Sequence, residues 1–244
     1  MAMRISLEVC VDTPEGFDAA VAGGADRIEL CAALDLGGLT PSPGLMALAA
    51  DASIPVYAMI RPRAGDFVFG QRDEAAMLGD IDSVRCAGLA GVVVGANRPD
   101  GRLDVALLER LVRHAGGLGI TLHRAFDLVP DPFEALDVAI ELGVERILTS
   151  GLVPRAIDGA ELLRRLVDQA GTRVSIMPGS GVNTANVVEL LNRTGAREVH
   201  GSCRAVLERG DSRAAEFGFE PGKSYRTSEA IVREMRTILD GVGS

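Results

Sequence analysis

The sequence predicts an α/β protein: a single (β/α)8 TIM barrel, with a long loop after its eighth strand and a closing C-terminal helix. Three observations carry this. Short apolar runs recur about every 30 residues along a chain of 244 residues, the spacing that eight β-α units need at that length. Most of these runs are apolar on both faces, as parallel strands covered by helices are. The first strand-to-helix turn, Val11-Asp12-Thr13-Pro14, holds no glycine. An open doubly wound sheet usually carries a Gly-rich turn there.

Strands are expected over residues 5–11, 27–31, 56–61, 91–95, 120–126, 146–150, 174–177 and 198–202. Helices fall between them. The first, 14–23, follows the capping pair Asp12-Thr13 with a proline just inside, and the second, 43–51, follows Ser42. Further helices are expected over 72–87, 104–115, 132–142, 159–170 and 184–193. Glycines 24, 88, 116, 143, 171 and 195 stand where left-handed C-caps belong. The segment 204–226 breaks the rhythm and reads as irregular. It leaves from the rim where barrels place their active sites, as a lid, a flexible insertion or an oligomer contact. A helix over 227–240 closes the chain. No linker or composition shift divides residues 1–244.

Apolar residues make up 47% and charged residues 24%, ordinary for a globular protein. A net charge of −9 argues against nucleic acid and anionic membranes as partners. No apolar run approaches the ~20 residues of a membrane span. The opening MAMRISLEVC enters a strand pattern without a secretory apolar region, so a cytoplasmic protein is expected. The four cysteines form no C-x-x-C pair, and a cytosolic domain of this size needs no disulfide staples.

The chemistry-bearing residues cluster at strand ends. Leu-Glu-Val-Cys at 7–10 and Ile-Glu-Leu-Cys at 28–31 each place a Glu and a Cys two residues apart, hence on one face of a strand. Buried carboxylates need partners. Arg61, Arg63, Arg124, His123 and His200 are the candidates for Glu8 and Glu29. Of three histidines, His114 falls on a helix, whereas His123 and His200 end strands five and eight. His123 is expected to share a face with Asp127. Glu8, Glu29, Arg61, His123 and His200 thus form a candidate polar ring at the barrel mouth. It serves either as a structural ion-pair network or as acid–base or ligand-binding machinery. Gly179-Ser180-Gly181 is expected to open helix seven, with Ser202 beside it. Loops in this position hold phosphate in many barrels, although the same residues also suit a simple turn. Cys10 and Cys31 lie on adjacent strands. If their registers match, the thiolates suit a soft metal such as monovalent copper or zinc; otherwise they are small buried packing groups.

LEVCVD at 7–12, GADRIELCAAL at 24–34, GGLTPS at 37–42, IRPRAGDF at 60–67, HRAFD at 123–127, LTSG at 148–151 and EVH at 198–200 resemble, in order, the characteristic segments of the CutC family. The resemblance spans about residues 4–204. It implies a TIM barrel, a cytoplasmic protein forming homodimers or larger homo-oligomers, and a role in copper homeostasis. It also implies monovalent copper on Cys10 and Cys31. The alternative is an enzyme acting on a small anionic metabolite, phosphorylated or not, as a lyase, isomerase or metal-assisted hydrolase. Schiff-base aldolase chemistry is disfavoured, because the sole lysine, Lys223, lies outside every expected strand.

Overall fold

The computed structural model describes residues 4–207, 213–217 and 224–242. The apolar runs form eight strands: β1 (Ser6–Val11), β2 (Arg27–Leu30), β3 (Val56–Met59), β4 (Gly91–Val94), β5 (Gly119–Leu122), β6 (Arg146–Thr149), β7 (Ser175–Pro178) and β8 (Glu198–Gly201). They pair in parallel in the order β7-β6-β5-β4-β3-β2-β1-β8. β7 and β8 lie side by side at the seam, so the sheet curls into a nearly closed barrel. Helices α1 (Pro14–Gly23), α2 (Pro43–Ala49), α3 (Gln71–Ala87), α4 (Val105–Ala115), α5 (Pro132–Glu141), α6 (Ala160–Ala170) and α7 (Val187–Thr194) alternate with the strands.

Local chemistry explains the helix starts. Thr13 Oγ1 accepts from Gly16 N at 3.0 Å, and Ser42 Oγ accepts from Leu45 N at 3.2 Å. Each cap is followed by a proline whose missing N–H costs nothing in the first turn. The core fills the layer between strands and helices. Leu7, Val9, Val11, Ile28 and Leu30 are fully buried, as are Leu111 of α4 and Leu163 and Leu166 of α6. Each such side chain contributes about 1.5–3 kcal/mol by leaving water.

The barrel interior is divided along its axis. Its lower end, where the strands begin, is plugged by Tyr57, with the guanidiniums of Arg146 and Arg27 at 4.8 and 5.7 Å from the ring centroid. Gly91 is required there, since a Cβ would sit 2.2 Å from Tyr57 Cε1. Arg27 Nη2 and Arg146 Nε approach Glu198 Oε2 at 2.5 and 3.4 Å. The upper end, where the strands stop, is open.

Three expectations are corrected. The fifth strand stops at Leu122, and Arg124–Leu128 winds into a 3-10 turn. Asp127 therefore shares no strand face with His123. It accepts instead from Thr149 Oγ1, Ser150 N, Ser150 Oγ and Leu152 N, bracing the end of β6. Helix seven begins at Val187, so Gly179-Ser180-Gly181 does not open it directly; Ser180 and Gly181 form a left-handed turn with φ of 77° and 72°. Finally, the segment after β8 is not irregular throughout. β9 (Arg204–Leu207) and β10 (Ser224–Thr227) pair as an antiparallel ribbon with Val206 opposite Tyr225. The four-residue helix α8 (Arg213–Glu216) lies between them, and α9 (Glu229–Val242) closes the chain against α1. The rest of 204–226, including 208–212 and 218–223, lies outside the described residues.

Candidate functional site

Strand register decides which of the inward side chains meet. Along β1, Glu8 pairs with Arg27 of β2 on one side and with His200 of β8 on the other. One step higher on the same face, Cys10 pairs with Glu29 rather than with Cys31. Cys31 follows at the next level, just past the end of β2. The interior of this arc is therefore a ladder: Arg27, Glu8 and His200 below, Cys10 and Glu29 above, Cys31 at the top.

The lower rung is an ion-pair chain. Arg27 Nε donates to Glu8 Oε2 at 2.5 Å, and His200 Nδ1 lies 2.8 Å from Glu8 Oε1. Glu8 has no exposed surface. Burial alone would raise its pKa, but Arg27 and the His200 hydrogen bond outweigh it and hold the carboxyl at about 2. Because an ionised Glu8 only accepts, Nδ1 of His200 carries the proton shared with it. This leaves Nε2 facing the other way, 3.8 Å from Glu29 Oε2. Burial opposes charge on His200, yet the neighbouring Cys10 and Glu29 raise its pKa well above 6.5.

The upper rung gathers three donor types. One ligand atom each from Cys10, Glu29 and His200 lies within 4.8 Å of the other two, and all three residues are buried. Cys31 Sγ donates to Glu29 Oε2 at 3.5 Å. Burial, followed by the Glu29 charge, pushes the Cys31 thiol well above 9. Burial raises the pKa of Glu29 as well. Cys203 packs in the core between strands and helices, its thiol pushed up to about 12 by burial and then by Cys10.

Above this ladder opens a cavity of about 370 Å³, lined among others by Cys10, Glu29, Arg61, His123, His200 and Arg204. The expected ring thus converges on one place, with Glu8 beneath it. The expected partnerships change. Arg61 binds no carboxylate among the described residues; its guanidinium donates to the carbonyls of Leu36, Gly38 and Gly65. Arg63 turns outward to Asp66 and Asp73, and Arg124 binds Asp127. The cation that holds Glu8 is Arg27, which the strand-end reading passed over because it begins its strand. Its signal was available in the motif Asp-Arg-Ile-Glu: Arg27 and Glu29 are two apart and share a face. Ser180, Gly181 and Ser202 line the same cavity, with Ser180 Oγ donating to Pro154 O at 2.7 Å. Gly179 lies inside the wall, where a Cβ would meet Leu148 Cδ1 at 2.4 Å. Arg204, at the root of the ribbon, joins the rim by pairing with Asp35 at 3.0 Å.

Comparison with known proteins places these features in context. The model of the CutC family matches residues 5–205. The CutC family protein of Rhizobium meliloti (strain 1021) is 56% identical over 237 residues, 97% of each chain. That of Caulobacter vibrioides (strain NA1000 / CB15N) is 57% identical over 235 residues, 96% of each. Among solved structures, a CutC protein of Streptococcus agalactiae, named for copper homeostasis, superposes with a TM-score of 0.78 at 30% identity. The match covers 81% of this chain and 98% of that one. No helix among the described residues is long and apolar enough to cross a membrane.

Proposed function

The chain belongs to the CutC family, and from that premise we propose that it binds monovalent copper as cargo at the Cys10–Glu29–His200 rung, with Cys31 as the second thiol ligand. The observation that carries the reading is the Glu8 clamp on His200. A carboxylate on one ring nitrogen fixes the tautomer and aims the other nitrogen, the arrangement that orients metal-binding histidines. Here the aimed nitrogen lies 3.8 Å from Glu29 Oε2, and a His200 nitrogen lies with Cys10 and Glu29 ligand atoms within 4.8 Å of one another.

The donor chemistry fits the ion. Thiolate and imidazole are soft to intermediate ligands and suit monovalent copper. Both thiols must lose a proton to bind, and so must His200 Nε2, on a ring whose pKa is raised, against burial, by Cys10 and Glu29. The cation offsets the repulsion between thiolate and Glu29 that, after burial, raises the Cys31 pKa. Cys10 and Cys31 are free and unpaired with other cysteines, a state that a reducing cytoplasm maintains. The proposed setting is that compartment, with the chain assembled as a homodimer or larger homo-oligomer as the family resemblance implies.

Anaerobic titration of monovalent copper against a chromophoric competitor tests the reading. Wild type is expected to outcompete the indicator with one ion per chain. Cys10→Ser should lose this ability entirely, and Cys31→Ser in part. Equal binding by wild type and Cys10→Ser overturns the assignment.

A further inference from the structure

Buried polar atoms without a partner are rare in folded proteins, and each asks for a reason. Seven such atoms occur among the described residues. Asn97 Oδ1 belongs to an amide held through Nδ2 by two carbonyls, Arg236 Nε to a guanidinium held by Ile5 O and Asp26, and the other five fall into two groups. Arg146 Nε and Arg236 Nη2 have carboxylates within ion-pair reach, at 3.4 and 2.9 Å. Three others, Glu29 Oε1, Arg61 Nε and His123 Nε2, belong to residues that line the one cavity at the barrel mouth. Neither Arg61 nor His123 has a place in the copper ladder.

His123 is built as a neutral donor. Its Nδ1 accepts from Ala125 N at 3.1 Å, so in the neutral ring the proton sits on Nε2. Burial, followed by the charge of Arg61, drops its pKa to about 3. The ring is wedged in place. Its centroid is 4.8 Å from that of Phe67. On the other side, a Cβ at Gly95 would lie 2.3 Å from its Cε1. With Cε1 and Nδ1 pressed against Gly95 and Ala125, Nε2 is the ring nitrogen left without a partner, on a residue that lines the cavity.

Arg61 supplies the charge. It is 5% exposed, and three backbone carbonyls satisfy its terminal nitrogens without neutralising it. Its guanidinium stacks on the same Phe67 ring, 4.8 Å from the centroid. A buried cation held by neutral carbonyls is costly unless an anion joins it. Phe67 thus carries on its surface two N–H donors and one uncompensated positive charge. Glu29 lines the same cavity, and its Oε1 is an acceptor without a donor among the described residues. The volume, about 370 Å³, lies at the small end of the range for small-molecule sites.

We infer that this cavity binds a small hydroxylated organic anion, whose oxyanion accepts from Arg61 Nε and His123 Nε2 and whose hydroxyl donates to Glu29 Oε1. The inference does not rest on copper, since it uses the Glu29 oxygen that faces neither Cys31 nor His200. Ser180, Gly181, Ser202 and Arg204 at the rim set how large the anion can be. A carboxylate and a phosphate both supply the oxyanion, and the experiment separates them.

Calorimetric titration of chelator-treated, metal-free protein uses four probes: glycerate, glycerol 3-phosphate, propionate and glycerol. Binding of glycerate or glycerol 3-phosphate is expected, and the stronger of the two identifies the headgroup. Propionate should bind at least tenfold more weakly, and glycerol not at all. Side-chain nitrogen NMR should show the His123 Nε2–H resonance shifting on saturation. His123→Phe keeps the ring and its stacking on Phe67 but removes the donor. It should retain a cooperative thermal transition and lose at least tenfold in affinity. No binding of either anion, or equal binding by wild type and a folded His123→Phe, overturns the inference. Because the protein is metal-free, failure here leaves the copper reading untouched, and loss of copper binding in Cys10→Ser leaves this one untouched.

Discussion

His200 Nδ1 and Glu8 Oε1 lie 2.8 Å apart across 192 positions of the chain. The contact joins the last barrel strand to the first and settles which nitrogen of His200 is offered to Cys10 and Glu29. Glu8 is in turn held by Arg27, so a fully buried carboxylate connects a structural ion pair to the candidate metal rung.

Glu8→Gln tests that connection. The amide removes the charge that Arg27 and His200 share, leaving Arg27 with Glu198 alone at this end of the barrel. Breaking a buried pair from one side typically costs about 3–5 kcal/mol. Chemical denaturation is expected to show a loss of that order. Copper affinity should fall about 10- to 100-fold in the folded fraction, measured by the same indicator competition. Unchanged stability would show that Arg27 and His200 do not depend on Glu8.

A second expectation concerns acid. The unfolded chain protonates residue 123 near pH 6.5, whereas the folded chain does so only near pH 3, with burial first and Arg61 second as causes. Between those values the unfolded state binds the extra proton. Stability therefore falls as pH drops through this window and levels off below about 3. The stake is on the order of 5 kcal/mol. Denaturation midpoints of wild type and His123→Gln, followed from pH 7 to pH 3, should converge as the medium becomes acidic. Parallel curves would mean that His123 is charged in the fold.

Asp127 carries the third. Its two oxygens accept from Thr149 Oγ1 at 2.5 Å, Ser150 N at 3.0 Å, Ser150 Oγ at 2.9 Å and Leu152 N at 3.2 Å, and from Arg124 Nε at 2.7 Å. Thr149 and Ser150 are fully buried, so Asp127→Ala strands donors that water cannot reach. A loss of about 3 kcal/mol or more is expected, which is roughly 6–12 °C in Tm for a chain of this size. A thermal melt within 2 °C of wild type, about the shift of a lone weak contact, would count against this bracing role.

Much of this was legible in the chain. The period of apolar runs, the capping residues before α1 and α2, and the alternation within LEVC and RIELC require only local rules. Glu8 with Cys10, and Glu29 with Cys31, were bound to share faces because side chains alternate along any strand. The gathering of Glu29, Arg61, His123 and His200 at one mouth followed from topology, since parallel strands in a barrel end on the same rim. The 3-10 turn at Arg124–Leu128 and the β9–β10 ribbon were not legible. A short helix and an edge pairing leave almost no periodic signal.

The sequence by itself determined the barrel, the inward direction of the two Glu-Cys pairs and the family to which they point. Only the tertiary structure decided who meets whom. A parallel ladder can slide by two residues without turning any side chain to the other face, so periodicity cannot choose its register. That choice set Cys10 against Glu29 instead of Cys31, and Glu8 between Arg27 and His200. It also left Arg61 and His123 on Phe67 with donors that nothing among the described residues satisfies. Which charges are compensated is a property of distances, and those distances exist only once the ring of strands has closed.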